Sequence, residues 1–189
     1  MDENKITKLT EKVKSRLLKI DRKGIPELVE YMTEKGFFTS PASTKYHGNY
    51  DGGLLTHCTK FYNLLKKMHE MFNLPFDQDS MLICVYGHDL CKMGAYYKIN
   101  AGGGSYYKWN GDHPKGHSIL SIKILEKFIK LTELEKNLIT YHMGMYGTKE
   151  CSDWSGEYNI LKLADMFSKE KLCKLFYFCD DMSSNFLEE

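Results

Sequence analysis

The sequence lacks the features that mark membrane-spanning, secreted and nucleic-acid-coating proteins. Its 189 residues contain no apolar run near the ~20 residues that cross a bilayer. Residues 1–16 contain no apolar segment of a secretory signal. The 26 basic residues balance 25 acidic ones, for a net charge of +1, which disfavours a strongly basic nucleic-acid module. We therefore expect a cytoplasmic protein that has no membrane partner.

The sequence also lacks the closely paired cysteines of a zinc knuckle. None of its six cysteines forms a C-x-x-C pair. Most of them lie in apolar stretches with helical spacing, where a reduced cysteine behaves as a small hydrophobic residue. We therefore expect free thiols rather than disulfides: Cys58, Cys84, Cys91, Cys151, Cys173 and Cys179.

Apolar residues at three- and four-residue steps predict helices over most of the chain. The predicted helices cover about residues 6–20, 26–36, 54–72, 80–92, 117–131, 132–142 and 157–180. Aromatic and β-branched residues around the glycines of segment 95–110 predict a two-stranded hairpin instead. The length supports one compact domain. We predict an all-α bundle with one small β-hairpin, in which residues 1–44 form a helical segment packed on the core of residues 45–189.

Histidine and aspartate side chains recur on the inner faces of the predicted helices. His88 and Asp89 are adjacent in an apolar helix, where two polar groups are costly unless they are hydrogen-bonded, paired or bound to a metal. Asp165 is predicted on the face of Leu161 and Leu172. Further inward-facing candidates are His57, His117 and His142.

Four histidines and two aspartates form a donor set that suits one or two ions of Mn, Fe, Co, Ni or Zn, and suits Ca or Mg less well. A single inward histidine is more often a hydrogen-bonded core residue. The coincidence of six such residues on different helices favours a metal site. A purely structural metal site, closed by protein ligands, is a further alternative.

The order of these residues resembles the H…HD…D signature of the HD superfamily of metal-dependent phosphohydrolases. Segment 50–57, YDGGLLTH, resembles the Y-x-G-G-L-L-x-H entry of HD domains near the bacterial 3′→5′ exoribonucleases. Segment 88–92 resembles their H-D-x-x-K stretch, with Cys91 where that group often has glycine. The resemblance covers about residues 45–172. It implies a helical bundle that holds one or two metals, with residues 45–189 as the HD-type domain.

The resemblance implies hydrolysis of a phosphate ester or anhydride of a nucleotide or short oligonucleotide by metal-activated water. Asp89, Lys92 and His117 would be the catalytic residues. One alternative is a 3′→5′ exonuclease on single strands. That group usually carries an OB module before its HD domain, so the N-terminal helical segment here favours a small nucleotide. Another alternative is a sensor that binds a nucleotide without catalysis. HD proteins are often dimers, so a homodimer is also expected.

The hairpin and the segments that follow it supply candidate substrate contacts. Aromatic faces stack on bases and lysines attract phosphates, so we expect the hairpin to form a lid or a substrate wall. A surface hairpin with cross-strand aromatic pairs is the alternative. Segment 143–156 is a candidate for the opposite wall. The predicted substrate-binding residues are Lys92, Lys98, Tyr106, Tyr107, Lys108, His113 and Lys115.

Overall fold

A computed structural model describes residues 3–101, 104–114, 116–152 and 156–187. Within these ranges the chain is mostly helical and contains one antiparallel hairpin, which confirms the predicted secondary-structure class. The helices are α1 (Glu3–Leu17), α2 (Ile25–Glu34), α3 (Gly53–Phe72), α4 (Gln78–Gly87), α5 (Ser118–Leu125), α6 (Glu133–Tyr141), α7 (Ile160–Lys169) and α8 (Lys171–Asn185). The strands are β1 (Tyr96–Ala101) and β2 (Gly104–Trp109).

Local hydrogen bonds explain where two of the helices begin. The Asp77 side chain accepts a hydrogen bond from the Ser80 backbone N–H, which starts α4. The Thr132 hydroxyl accepts from the Glu135 N–H, and the Glu135 carboxylate accepts from the Thr132 N–H. This capping box starts α6 at the residue that the sequence predicts.

One hydrophobic core joins the N-terminal helices to the rest of the chain. Val13 and Leu17 of α1 are buried in the same cluster as the central residues of α3 and α8. The rings of Phe61 on α3 and Phe176 on α8 lie 4.6 Å apart. Because a fully buried phenylalanine contributes about 1.5–3 kcal/mol, this pair holds the two helices firmly together. None of the described helices has the length and apolar character needed to cross a membrane.

Three predicted helices end earlier than their apolar spacing indicates. The predicted helix 117–131 ends at Leu125. The predicted helix 80–92 ends at Gly87, and Leu90–Lys92 form a 3-10 turn. The predicted helix 157–180 is two helices that meet at Glu170, whose side chain accepts a hydrogen bond from the Leu172 N–H and caps α8. Because of this break, the buried face of α8 around Leu172 does not continue along α7, where Leu163 is buried and Leu161 is exposed.

The hairpin is fastened to the loop that precedes α3. Tyr96 pairs with Trp109 across the two strands, and their rings lie 5.6 Å apart. The Lys98 ammonium and the Tyr107 hydroxyl both donate hydrogen bonds to the Asp51 carboxylate. These contacts join residues far apart in sequence and fix where the hairpin lies.

Candidate metal centre

Six buried side chains from five parts of the fold meet beside the core. His57 comes from α3, and Asp180 comes from α8. The other four lie at helix ends, where the backbone turns and can direct a side chain inward. We call the six residues the histidine–aspartate cluster: His57, His88, Asp89, His117, His142 and Asp180.

Asp89 occupies the middle of the histidine–aspartate cluster. Its Oδ1 lies 2.8 Å from His117 Nε2 and 3.8 Å from His142 Nε2. Its Oδ2 lies 3.3 Å from His88 Nε2 and 3.9 Å from His57 Nε2. The two oxygens therefore face different pairs of histidines, as a carboxylate does when it bridges two positions.

Asp180 completes one side of the cluster. Its Oδ1 lies 3.0 Å from His57 Nε2 and 3.6 Å from His88 Nε2. The ligand atoms of His57, His88 and Asp89 all lie within 4.8 Å of one another, and so do those of His88, His142 and Asp180. Such a set of buried nitrogens and oxygens can hold a metal ion.

Backbone carbonyls set the protonation of two of the histidines. His88 Nδ1 lies 2.7 Å from the Val85 carbonyl oxygen, and His142 Nδ1 lies 2.6 Å from that of Ile139. A carbonyl oxygen only accepts hydrogen bonds, so each Nδ1 carries the hydrogen. In the neutral ring, Nε2 then presents its lone pair to the centre of the cluster.

The other two histidines also have outer partners. His57 Nδ1 lies 3.4 Å from Ser183 Oγ, whose hydroxyl donates to the Asp180 carbonyl oxygen, so that Oγ can accept from the imidazole N–H. His117 Nδ1 lies 3.3 Å from Cys91 Sγ. Outer contacts of this kind orient the histidine ligands of metal sites.

The electrostatics of the cluster favour the metal-binding protonation state at two residues and protonation at two others. Burial opposes a charge on His88 and His117, but their acidic neighbours raise the pKa of both imidazoles, to about 10 for His117, so a bound metal ion would displace a proton from each ring. Burial would raise the pKa of Asp89, but the charges of Lys92 and the nearby histidines lower it well below its ordinary value. Lys92 Nζ lies 2.7 Å from Asp89 Oδ2. Burial and the neighbouring His88 and His117 lower the pKa of His142 to about 3, so this imidazole is neutral at pH 7.

His142 Nε2 gives direct evidence that the cluster is incomplete. Within the described ranges this atom is buried and has no hydrogen-bond partner. A buried polar atom without a partner costs about 1–3 kcal/mol, so such atoms are rare unless they serve a ligand. The donor set around it, imidazole nitrogens and carboxylate oxygens, is the chemistry that divalent transition metals prefer.

Asp165 lies outside the cluster, contrary to the sequence-based expectation. Its side chain is 57% exposed and accepts a hydrogen bond from Lys169 Nζ at 2.8 Å, one turn along α7. The reason is the helix break at Glu170, which the sequence analysis did not foresee. Asp180 takes the place that we expected Asp165 to fill.

A signal for Asp180 was present in the sequence. Cys173, Phe176 and Cys179 are buried on α8, at spacings of three residues. Asp180 lies four residues after Phe176, and so shares the inner face of that helix. If residues 171–185 are taken as a separate helix, this spacing predicts that Asp180 faces the core.

A cavity of about 630 Å³ opens onto the histidine–aspartate cluster. Lys92 and five of the six cluster residues line it, all except His88. Its volume lies within the roughly 300–1,000 Å³ of small-molecule pockets. The remaining walls carry four tyrosines, Tyr46, Tyr96, Tyr146 and Tyr177, and residues of α8, Asp181, Ser184 and Asn185.

Most of the predicted substrate-binding residues lie away from this cavity. Lys98 and Tyr107 bind Asp51, and Lys108 Nζ lies 5.8 Å from the centre of the Tyr106 ring. Tyr106 is 45% exposed. The hairpin meets the cavity only at its base, through Tyr96. Side chains alternate along the strands, so Tyr106 and Lys108 lie on the face opposite to Tyr96. Lys98 and Tyr107 share the face of Tyr96 but lie further along the hairpin, at Asp51.

The remaining predicted contacts have mixed outcomes. Lys92 lines the cavity. His113 packs edge-on against Trp109, with ring centres 5.3 Å apart, and does not line the cavity. Lys115 lies outside the described residues. Segment 143–156 does contribute a wall, through Met143, Tyr146, Cys151 and Ser152.

His47 lines the cavity at the edge of the histidine–aspartate cluster. A Cβ on Gly53 would lie 1.9 Å from the Gly48 carbonyl oxygen, so glycine at 53 permits a close approach of two backbone segments. This approach brings the His47 ring to 5.1 Å from the His57 ring. Burial and the charge of Lys92 lower the pKa of His47 to about 3. It is therefore a neutral imidazole at the edge of the cluster.

Comparison of the chain with protein-family models, with curated proteins and with solved structures gives no match. The geometry of the site establishes a buried group of histidines and aspartates that can hold a metal ion, beside a cavity that can admit a small molecule.

Proposed function

We propose that this protein is a metal-dependent phosphohydrolase of the HD type, which acts on a nucleotide or short oligonucleotide. The observation that carries the proposal is the position of Asp89, whose two carboxylate oxygens face separate pairs of histidine Nε2 atoms beside the cavity. A carboxylate placed in this way can bridge two metal ions, and two-metal sites catalyse phosphoryl transfer.

The cluster offers two overlapping donor sets for divalent ions. His57, His88, Asp89 and Asp180 would hold one ion, and Asp89 with His117 and His142 would hold a second ion or orient the phosphate. Imidazole donors suit Mn, Fe, Co, Ni or Zn better than Mg. Such ions, when bound, polarise phosphate oxygens and lower the pKa of water.

Lys92 has a charge-balancing role in this proposal. Its ammonium binds Asp89 Oδ2, and its side chain also lines the cavity. It holds the central carboxylate in one orientation and offers a positive charge next to the place where a phosphate would bind. The cavity volume fits a single nucleotide better than a strand of several, which favours a small substrate over the exonuclease alternative.

A panel of substrates and metals tests the proposal. Nucleoside mono-, di- and triphosphates, cyclic nucleotides and short single strands are incubated with the protein and Mn, Co, Ni, Zn or Mg. We expect release of phosphate or nucleotide with a transition metal, and its loss in His57→Ala. The matched control is His69→Ala, a histidine on the same helix that lies outside the cavity.

The outcomes separate the alternatives. Cleavage of strands alone would favour the exonuclease. Tight nucleotide binding with no turnover of any compound would favour the sensor and would contradict the proposal. Equal loss of activity in His57→Ala and His69→Ala would show that the cluster is not the reacting site.

A further inference from the structure

Helix α8 presents one continuous face to the cavity. Tyr177, Asp180, Asp181, Ser184 and Asn185 all line it. Most of these positions are three or four residues apart, the spacing that places side chains on one side of a helix. At ~1.5 Å per residue, the face extends about 7.5 Å beyond Asp180. It therefore runs outward from the histidine–aspartate cluster over a length comparable to a sugar and part of a base.

Three polar groups on this face present hydrogen-bond acceptors. Asn185 Nδ2 donates to Asp181 Oδ1 at 2.9 Å, which orients the Asp181 carboxylate and leaves the amide oxygen of Asn185 as an acceptor. The Ser184 hydroxyl donates to the Asp180 carbonyl oxygen at 3.1 Å, so its oxygen can only accept a further bond. An acceptor wall is complementary to hydroxyl and amino groups, which donate.

The other walls of the cavity are aromatic. Tyr46, Tyr96, Tyr146 and Tyr177 line it. A Cβ on Gly144 would lie 2.4 Å from the Tyr177 ring, so glycine at 144 lets the turn after α6 pack directly on this ring and hold it at the cavity. Aromatic faces stack on planar groups such as nucleobases.

Asp181 also adds a negative charge to the wall next to the cluster. A second and a third phosphate would extend the negative charge along the α8 face toward this carboxylate. The negative charges of these phosphates and of the Asp181 carboxylate repel, and the repulsion is stronger in a partly enclosed cavity than in water.

We infer that the α8 face is a subsite for the hydroxyl- or amino-bearing organic part of a phosphate monoester, such as a nucleoside monophosphate, and that Asp181 selects against polyphosphates. This inference rests on the proposed function, and it names the substrate class of that site. His142 Nε2, buried without a hydrogen-bond partner on a residue that lines the same cavity, marks the end at which the phosphate would bind.

The test compares Asp181→Asn with wild type on an adenosine monophosphate and triphosphate pair. We expect wild type to show at least a tenfold higher kcat/KM for the monophosphate. Asp181→Asn is expected to raise KM for the monophosphate severalfold and to leave kcat and metal content unchanged. The ratio of kcat/KM for the monophosphate to that for the triphosphate is expected to fall. Asp165→Asn, an exposed carboxylate on α7, is the matched control and is expected to match wild type.

Each other outcome overturns a defined part of the inference. Equal or better hydrolysis of the triphosphate by wild type would overturn the subsite and leave the proposed function in place. An unchanged ratio of monophosphate to triphosphate hydrolysis in Asp181→Asn would also overturn the subsite and leave the proposed function in place. Loss of bound metal in Asp181→Asn would assign this residue to the metal centre instead. Failure of the metal-loaded wild type to hydrolyse any phosphate would overturn the proposed function itself.

Discussion

The protein buries two groups of polar side chains that differ in how their hydrogen bonds are completed. At Glu135 every carboxylate oxygen meets donors. Oε1 accepts from Ser80 Oγ at 2.8 Å and lies 2.9 Å from Arg22, and Oε2 accepts from the Thr132 N–H at 2.7 Å and from Arg22 at 2.9 Å. This group is complete within the chain.

The histidine–aspartate cluster is arranged in the opposite way. His88 and His142 donate outward through Nδ1 and turn their Nε2 lone pairs toward carboxylate oxygens. His57 Nε2 and His88 Nε2 lie only 3.4 Å apart. Acceptors that face acceptors need a proton or a metal ion between them. A buried carboxylate whose hydrogen bonds are all made within the chain stabilises the fold. Buried acceptors that converge on one point can instead hold a metal ion.

The largest expected effect is the loss of activity in Asp180→Asn. Removal of one metal ligand costs several kcal/mol of transition-state stabilisation, on the order of a thousandfold in kcat. Asp165→Asn, the carboxylate expected from the sequence, is predicted to retain wild-type activity because its side chain is exposed. Steady-state kinetics at saturating metal measures kcat for the two variants. A comparable drop in the two variants would contradict the assignment.

Glu135→Ala should show the reverse pattern, a loss of stability with metal binding retained. Breaking a buried ion pair costs roughly 3–5 kcal/mol, and we expect about 3 kcal/mol because Arg22 is partly exposed. Urea denaturation measures the free energy of unfolding. The control Glu133→Ala removes an exposed glutamate of the same helix and is expected to change it by less than about 0.5 kcal/mol. If Glu135→Ala instead folded normally and lost its metal, the two polar groups would not be distinct.

The smallest expected effect concerns the outer partner of His117. Cys91→Ala removes the sulfur that faces His117 Nδ1 and is expected to weaken metal affinity by about tenfold, at the low end for such partners. Cys91→Ser should lose less metal affinity, because the serine oxygen can accept a hydrogen bond from the same His117 N–H. Competition with a chelator measures the affinity. Cys173→Ala, a buried thiol on α8, controls for the loss of a core side chain. An equal loss of metal affinity in Cys91→Ala and Cys173→Ala would contradict a role for Cys91 as the outer partner of His117.

The parts of the fold that depend on local interactions could be predicted from the sequence. The capping box of Thr132 and Glu135 and the apolar spacing of α3 act within a few residues of each other. His57, His88, Asp89, His117 and His142 were found for the same reason, since each lies on or next to a helix whose inner face the spacing reveals.

The parts that depend on distant contacts could not be predicted. The helix break at Glu170 has no glycine or proline to mark it, and so Asp165 was expected where Asp180 lies. The hairpin is fixed by Asp51, a residue 56 positions before Tyr107, and this contact holds Lys98 and Tyr107 away from the cavity. No pattern within the hairpin itself contains that information.

Metal analysis of the purified protein tests the central claim most directly. We predict that elemental analysis after dialysis against Mn, Co, Ni or Zn finds one or two ions per chain in wild type and in His69→Ala. His88→Ala and Asp89→Ala are predicted to remain folded by circular dichroism and to retain none. Wild-type protein that binds no transition metal, or variants that bind as much as wild type, would contradict the account.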